Sequence, residues 1–181
     1  MSVQGNKKIQ KITASAVLLS LCMVLPFVTG QVPEIGNMLC PMHIPVLLCG
    51  FLCGWQYGVL VGFTAPLLRS FIFGAPLLFP HAFSMAFELA VYGFMTGLLN
   101  RRLPQKTVFI YINLIVSMLS GRIVWGLVRL IIYGLGYSQF SVSMFVAGAF
   151  AQAIPGIILQ LIVVPVIVIA MKRVSLKFVS R

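Results

Sequence analysis

Residues 44–68 carry no charged side chain, and within and around that run four glycines recur at every fourth position: Gly50, Gly54, Gly58 and Gly62. A stretch of this kind has no face to turn toward water. Small residues spaced one helical turn apart leave a groove in which another helix backbone can lie close, a main source of helix association in lipid. The rest of the chain agrees, with 60% of its 181 residues hydrophobic and 8% charged. So little polar surface cannot cover a soluble domain of this size. The expected class is an all-α integral membrane protein, with one membrane domain over residues 1–181.

The formal net charge of +11 would suit a nucleic-acid binder if it were spread over one face. It is gathered instead into Lys7, Lys8 and Lys11, then Arg101, Arg102 and Lys106, then Lys172, Arg173, Lys177 and Arg181. Each cluster flanks an apolar run, which is the positive-inside pattern, and all three are expected in the cytoplasm. The lipid bilayer is the partner this charge implies, and nucleic acid is not.

Those clusters fix a topology. Residues 12–29 read as a retained first helix, since no small-x-small cleavage pattern stands near Gly30. Residues 30–42, with their proline, glycine, asparagine and Glu34, read as an outer loop. With the Arg101 cluster inside, three crossings must fit between residues 43 and 100. The sequence therefore predicts a short helix over 43–54, a tight turn at Trp55 and Gln56, and a helix over 57–74. An outer loop over 76–81 and helices over 83–100, 107–134 and 142–171 complete the chain, with Pro155 and Pro165 as kink points. The result is a compact bundle of six transmembrane helices, both termini cytoplasmic, in a bacterial-type cell membrane.

An ionisable side chain at the centre of a span costs about 2.5–3.5 kcal/mol on insertion scales, so its position is informative. On this topology Arg69, Glu88, Arg122, Arg129 and Gln152 fall in the middle or outer parts of their helices, and Glu34, His43 and His81 at outer loops or helix edges. Arg122 and Arg129 share a helix face, with Trp125 one turn from each. No ionisable group falls in the inner halves. The pattern suggests a polar cavity open outward and closed below, a capture site rather than a channel. Three embedded arginines face one embedded glutamate, and a guanidinium pairs well with a carboxylate or phosphate. Alternatives stand beside this reading: Arg69 and Arg129 can snorkel to the interface, Arg122 can pair with Glu88, the histidines can cap loops, and Trp125 can simply pack.

Enzymatic signatures are missing. There is no GxxxxGK[ST] and no HExxH, and two acidic residues with two histidines make a poor metal set. Ser120-Gly121 lacks the context of a nucleophile elbow. Cys22, Cys40, Cys49 and Cys53 form no CxxC pair and read as small buried residues. Tyr111 and Asn113 read as helix packing or backbone bonding. No catalytic residue, metal or cofactor is expected.

Three segments carry a family resemblance: PMHIPVLLCGFLCGWQYGVLVG followed by PLLRS, then FELAVYGFMTGLL before a basic loop, then GRIVWGL with AQAIPGIILQLIVVPVI. Over about residues 10–173 the chain resembles the substrate-binding S components of energy-coupling factor vitamin transporters, most nearly the pantothenate-type branch. The resemblance implies a six-helix subunit that binds a vitamin or related micronutrient near its outer face and topples to deliver it inward. It also implies a membrane coupling subunit and two ATPase subunits as partners. The family's AxxxA contact on helix one is matched most nearly by Ala16 and Ser20, with Thr13 beside them. The substrate site would draw on Arg69, Glu88, Arg122, Arg129, Gln152 and Trp125, with Glu34 and His43 at its gate. A stand-alone secondary transporter or channel, and an assembly subunit with no ligand, are the competing functions.

Overall fold

In the computed structural model, which describes residues 3–28, 40–136 and 154–179, a single residue divides the glycine-rich run. Gly54 has φ 100° and ψ 171°, a conformation that side-chain-bearing residues rarely adopt, and it separates two helices. The helices are α1 Val3–Val28, α2 His43–Cys53, α3 Trp55–Phe73, α4 Phe83–Arg102, α5 Thr107–Gly134 and α6 Ile154–Val179. The expected break at Trp55 and Gln56 is thus displaced to Gly54, and Trp55 opens α3. A short helical turn over Leu78–Ala82, broken at Phe79 by an extended backbone (φ −124°, ψ 133°), precedes α4 and takes in His81, which sequence reading left in a loop. The first helix starts at Val3 and extends the expected span toward the basic amino end.

Pairs of residues in contact give the directions of the helices. Gly58 lies on Gly93, Gly62 on Leu89, and Gly97 on Gly54 and Trp55, so α3 runs antiparallel to α4. On α2, His43 meets Glu88, and Phe51 accepts a hydrogen bond from Asn100 Nδ2 at 2.9 Å, so α2 runs parallel to α4. Together α2 and α3 form a hairpin with Gly54 at its tip and α4 lying against both arms. A Cβ at Gly58, Gly62, Gly93 or Gly97 would strike backbone on the facing helix. The glycine ladder is therefore a seam of backbone against backbone.

On α1, Ser15 sits by Cys49 and Cys22 by Met42, so α1 is antiparallel to α2. Its lysine-bearing end consequently lies at the same end of the bundle as the Gly54 tip, Arg101 and Arg102. We call this the basic end. The core between the helices is apolar, built on Leu18, Val46, Leu47, Val61, Leu89, Leu114, Val164 and Val168. Large apolar side chains also cover the outside, among them Val17, Val24, Leu60, Ile72, Ile123, Leu130, Ile158 and Val166. Such a surface is stable in lipid rather than water.

Among the described residues, four segments are long and apolar enough to cross a membrane: Lys8–Phe27, Leu78–Arg102, Thr107–Gly134 and Ile154–Met171. The 11 residues of α2 reach only about 16 Å, well short of a hydrocarbon core of about 30 Å. The crossing expected over 43–54 is therefore a helix of partial depth, and His43 begins it beside Glu88, inside the protein.

Candidate functional site

Helical spacing puts Glu88 and Tyr92 on one face of α4, four residues apart. That face looks at the start of α2 and the middle of α5. Glu88 Oε1 accepts a hydrogen bond from the Tyr92 hydroxyl at 3.1 Å and lies 3.2 Å from Arg122 Nη1 and 3.6 Å from His43 Nε2. The His43 and Tyr92 rings meet edge to face with centroids 5.4 Å apart. Arg122 Nη2 points at Cys40 Sγ, 3.8 Å away, and Cys40 is held at φ 46° by a turn in which the His43 amide donates to its carbonyl. Gly121 makes room for this group, because a Cβ there would collide with the Tyr92 ring.

All four polar side chains are buried: Glu88 and His43 are 2% exposed, Tyr92 1% and Arg122 8%. A carboxylate is tolerated at such depth only with charge and hydrogen-bond partners, which Arg122 and Tyr92 supply. The set is not fully satisfied. Among the described residues, Arg122 Nε and both ring nitrogens of His43 lack hydrogen-bond partners. Toward the basic end the polar groups become neutral and satisfied: Asn113 Nδ2 donates to the Thr96 carbonyl, and Ser117 Oγ donates to Asn113 Oδ1, both at 3.0 Å. Asn113 thus serves the backbone bonding read for it.

Arg129 belongs to a second group, farther along α5. Its Nη2 lies 3.3 Å from His81 Nε2, and its guanidinium stacks over Trp125 at 5.5 Å. Nearby, an open apolar groove of about 610 Å³ runs along α4 and α5, lined by Phe79, Phe83, Phe87, Val128, Ile131, Ile132 and Leu135.

Arg69 stands apart from both. Its Nη1 donates to the Met23 carbonyl at 2.7 Å, and its guanidinium sits 5.2 Å from the Phe27 ring and 5.3 Å from that of Phe73. Pro26 lies inside α1 and has no N–H for the helix ladder, which loosens the last turns of that helix. Arg69 reaches α1 there and clasps it to the end of α3.

Of the residues singled out from sequence, the structure brings Glu88, Arg122 and His43 together and joins Arg129 to Trp125. Glu34 and Gln152 lie outside the described residues. Sequence reading missed Tyr92, although its spacing from Glu88 marks a shared face, and it placed Cys40 among inert buried residues. It also missed Gln160, which is 1% exposed with Oε1 unpartnered among the described residues. On α1, Thr13, Ala16 and Ser20 lie on the exposed side. The Ser20 and Thr13 hydroxyls fold back onto the carbonyls of Ala16 and Ile9, leaving a smooth small-residue face.

The described helices thus hold a buried charged cluster that gives way, toward the basic end, to neutral hydrogen-bonded groups. Residues 10–168 match the family described as ECF transporter, substrate-specific component. The chain belongs to that family. No curated protein and no solved structure gives a match. ECF substrate-specific components are transport subunits that bind a small molecule and work with membrane-embedded partners; they are not enzymes. The chain is accordingly a multi-pass membrane protein of the ECF system.

Proposed function

We propose that this ECF component captures a small carboxylated vitamin or vitamin precursor in a pocket between α2, α4 and α5, and delivers it inward through a membrane coupling subunit driven by two ATPases. Pantothenate is the first candidate. The protein sits in a bacterial-type cell membrane as six membrane-embedded helices, termini cytoplasmic, with α2 a partial-depth arm of the hairpin. The observation that carries the reading is the buried, incompletely partnered set of donors on Arg122 and His43, next to Glu88. A ligand carboxylate supplies the acceptors that Arg122 Nε and the His43 ring lack.

Arg122 then contacts the ligand while Glu88, itself held by the Tyr92 hydroxyl, keeps its guanidinium in place. Cys40 and His43 close the side reached from the first loop, where Glu34 would join the gate. Trp125, Arg129 and Gln152 would shape the far rim. Arg69 is assigned to the α1 clasp instead of the ligand. The exposed face at Ala16 and Ser20, with Thr13 alongside, meets the coupling subunit, because small side chains admit a partner helix closely.

The test is purification followed by mass spectrometry of extracted small molecules, with the co-purifying proteins identified in parallel. A small carboxylate and a coupling subunit with ATPases are the expected result. Solute movement by the chain alone in liposomes would favour a stand-alone transporter or channel instead.

A further inference from the structure

The charges around His43 place a condition on anion binding. Facing it are Glu88 and Tyr92 from α4, Arg122 from α5 and Cys40 from its own segment. Helices α1, α3 and α6 add no charge among the described residues of this cluster: the lysines of α1 lie at the basic end, Arg69 is held at Met23, and residues 154–171 contain no charged residue. Glu88 and Arg122 cancel. The cluster therefore has no net charge while the imidazole is neutral. Arg129, farther along α5, is held at His81 and Trp125, so a carboxylate entering beside His43 would be buried without a compensating cation, which is strongly disfavoured. Glu34, the chain's other acid, is negative and cannot supply one.

We propose that the site binds its anion together with one proton, taken up from solvent by His43. The inference rests on the reading that the ligand is anionic. Its geometric basis is that His43 is 2% exposed, faces Glu88 Oε1 with Nε2 at 3.6 Å, and has Nδ1 buried without a partner among the described residues. A neutral imidazole carries a single N–H and can donate to one side only. An imidazolium carries two. Set between Glu88 and the ligand carboxylate, it donates through Nε2 to the first and through Nδ1 to the second, and it brings the missing positive charge. Histidine is the side chain whose charge ordinarily changes between about pH 5 and 8. In this account the proton enters with the anion, and the cluster stays neutral overall.

The sign follows from linkage. Affinity for a carboxylate is greatest at low pH and falls as pH rises, by up to about tenfold per pH unit for one proton taken up. The test uses the full chain in lipid nanodiscs. Pantothenate, biotin and nicotinate are titrated by calorimetry from about pH 5.5 to about pH 8.5, each beside its neutral counterpart: panthenol, biotinamide and nicotinamide. Two buffers of different ionisation enthalpy report the protons taken up. The expected result is a carboxylate ligand that brings close to one proton at the high end of the range, with affinity falling as pH rises. His43→Gln, which keeps a donor but cannot gain a proton, is expected to flatten that profile.

A carboxylate that binds with a flat pH profile and no proton uptake overturns the proposal and leaves the anionic reading intact. Failure of every carboxylate to bind at about pH 5.5, with or without binding of a neutral counterpart, overturns both. The proton count comes from the unmutated protein, so the outcome does not depend on the variant folding.

Discussion

The seam between the α2–α3 hairpin and α4, and the charged cluster around Glu88, use the same helices within a few residues of one another. They are built by opposite means. At the seam, Gly58 meets Gly93 and Gly62 meets the Leu89 backbone, so attraction comes from close approach and the key atoms are the ones missing. In the cluster the side chains are large, polar and dependent on one another: Glu88 needs Arg122 and Tyr92, and Arg122 and His43 still have nitrogens to satisfy. A seam of this kind has one solution and no spare valence. The cluster keeps unpartnered nitrogens among the described residues, and in the proposed reading these receive the ligand.

The contrast is open to direct attack, and the largest effect is expected in the cluster. Arg122→Ala leaves the Glu88 carboxylate buried without its cation, at a cost of about 3–5 kcal/mol, read as a large fall in melting temperature in detergent. The double change Glu88→Leu with Arg122→Met removes both charges and should recover most of that loss while ligand binding stays absent. If the double variant is as unstable as the single one, the ion pair is not what Arg122→Ala breaks.

At the seam the smallest possible enlargement is enough. Gly93→Ala pushes a methyl into the Gly58 backbone and should cost about 3 kcal/mol. Gly134→Ala, with open space around it, should be neutral or slightly stabilising, by up to about 1 kcal/mol. Equal effects at the two glycines would show that the close approach is not the source of stability. Next comes Arg69→Met, which loses the bond to Met23 and the ring contacts but keeps the bulk; about 1.5 kcal/mol is expected, with ligand affinity unchanged. Weakened binding in a stable Arg69→Met protein would return that arginine to the site. The smallest stability effect is expected at Ala16→Leu, within about 0.5 kcal/mol, accompanied by loss of the co-purifying coupling subunit.

The two regions also differed in how far the sequence revealed them. Glycines at four-residue spacing announce a packed helix face by themselves, and the basic cluster at Arg101 forces a break somewhere in residues 43–80. The break expected at Trp55 and Gln56 begins one residue late because the aromatic Trp55 and Tyr57 suggest an interface, whereas the backbone is released by the positive φ of Gly54. The cluster was legible only in part. Glu88 and Arg122 stand out as charges in apolar helices, but their pairing joins residues 34 positions apart, and no local rule supplies it. His43 looked like a loop edge because α2 was expected to cross fully. Its burial follows from α2 starting partway into the bundle. Arg69 illustrates the reverse case: an embedded arginine read as a ligand group finds a backbone carbonyl near Pro26, and that contact depends on how α1 and α3 are docked.

The central claim is that the Glu88–Arg122 cluster holds a small anionic ligand. Mass spectrometry of the small molecules extracted from the wild-type protein and from the folded Glu88→Leu, Arg122→Met variant, purified side by side from the same growth, tests it most directly. A carboxylated metabolite near one equivalent in the wild type and absent from the variant is the predicted result. The same molecule at equal yield in both, or a neutral molecule in the wild type, would contradict the claim.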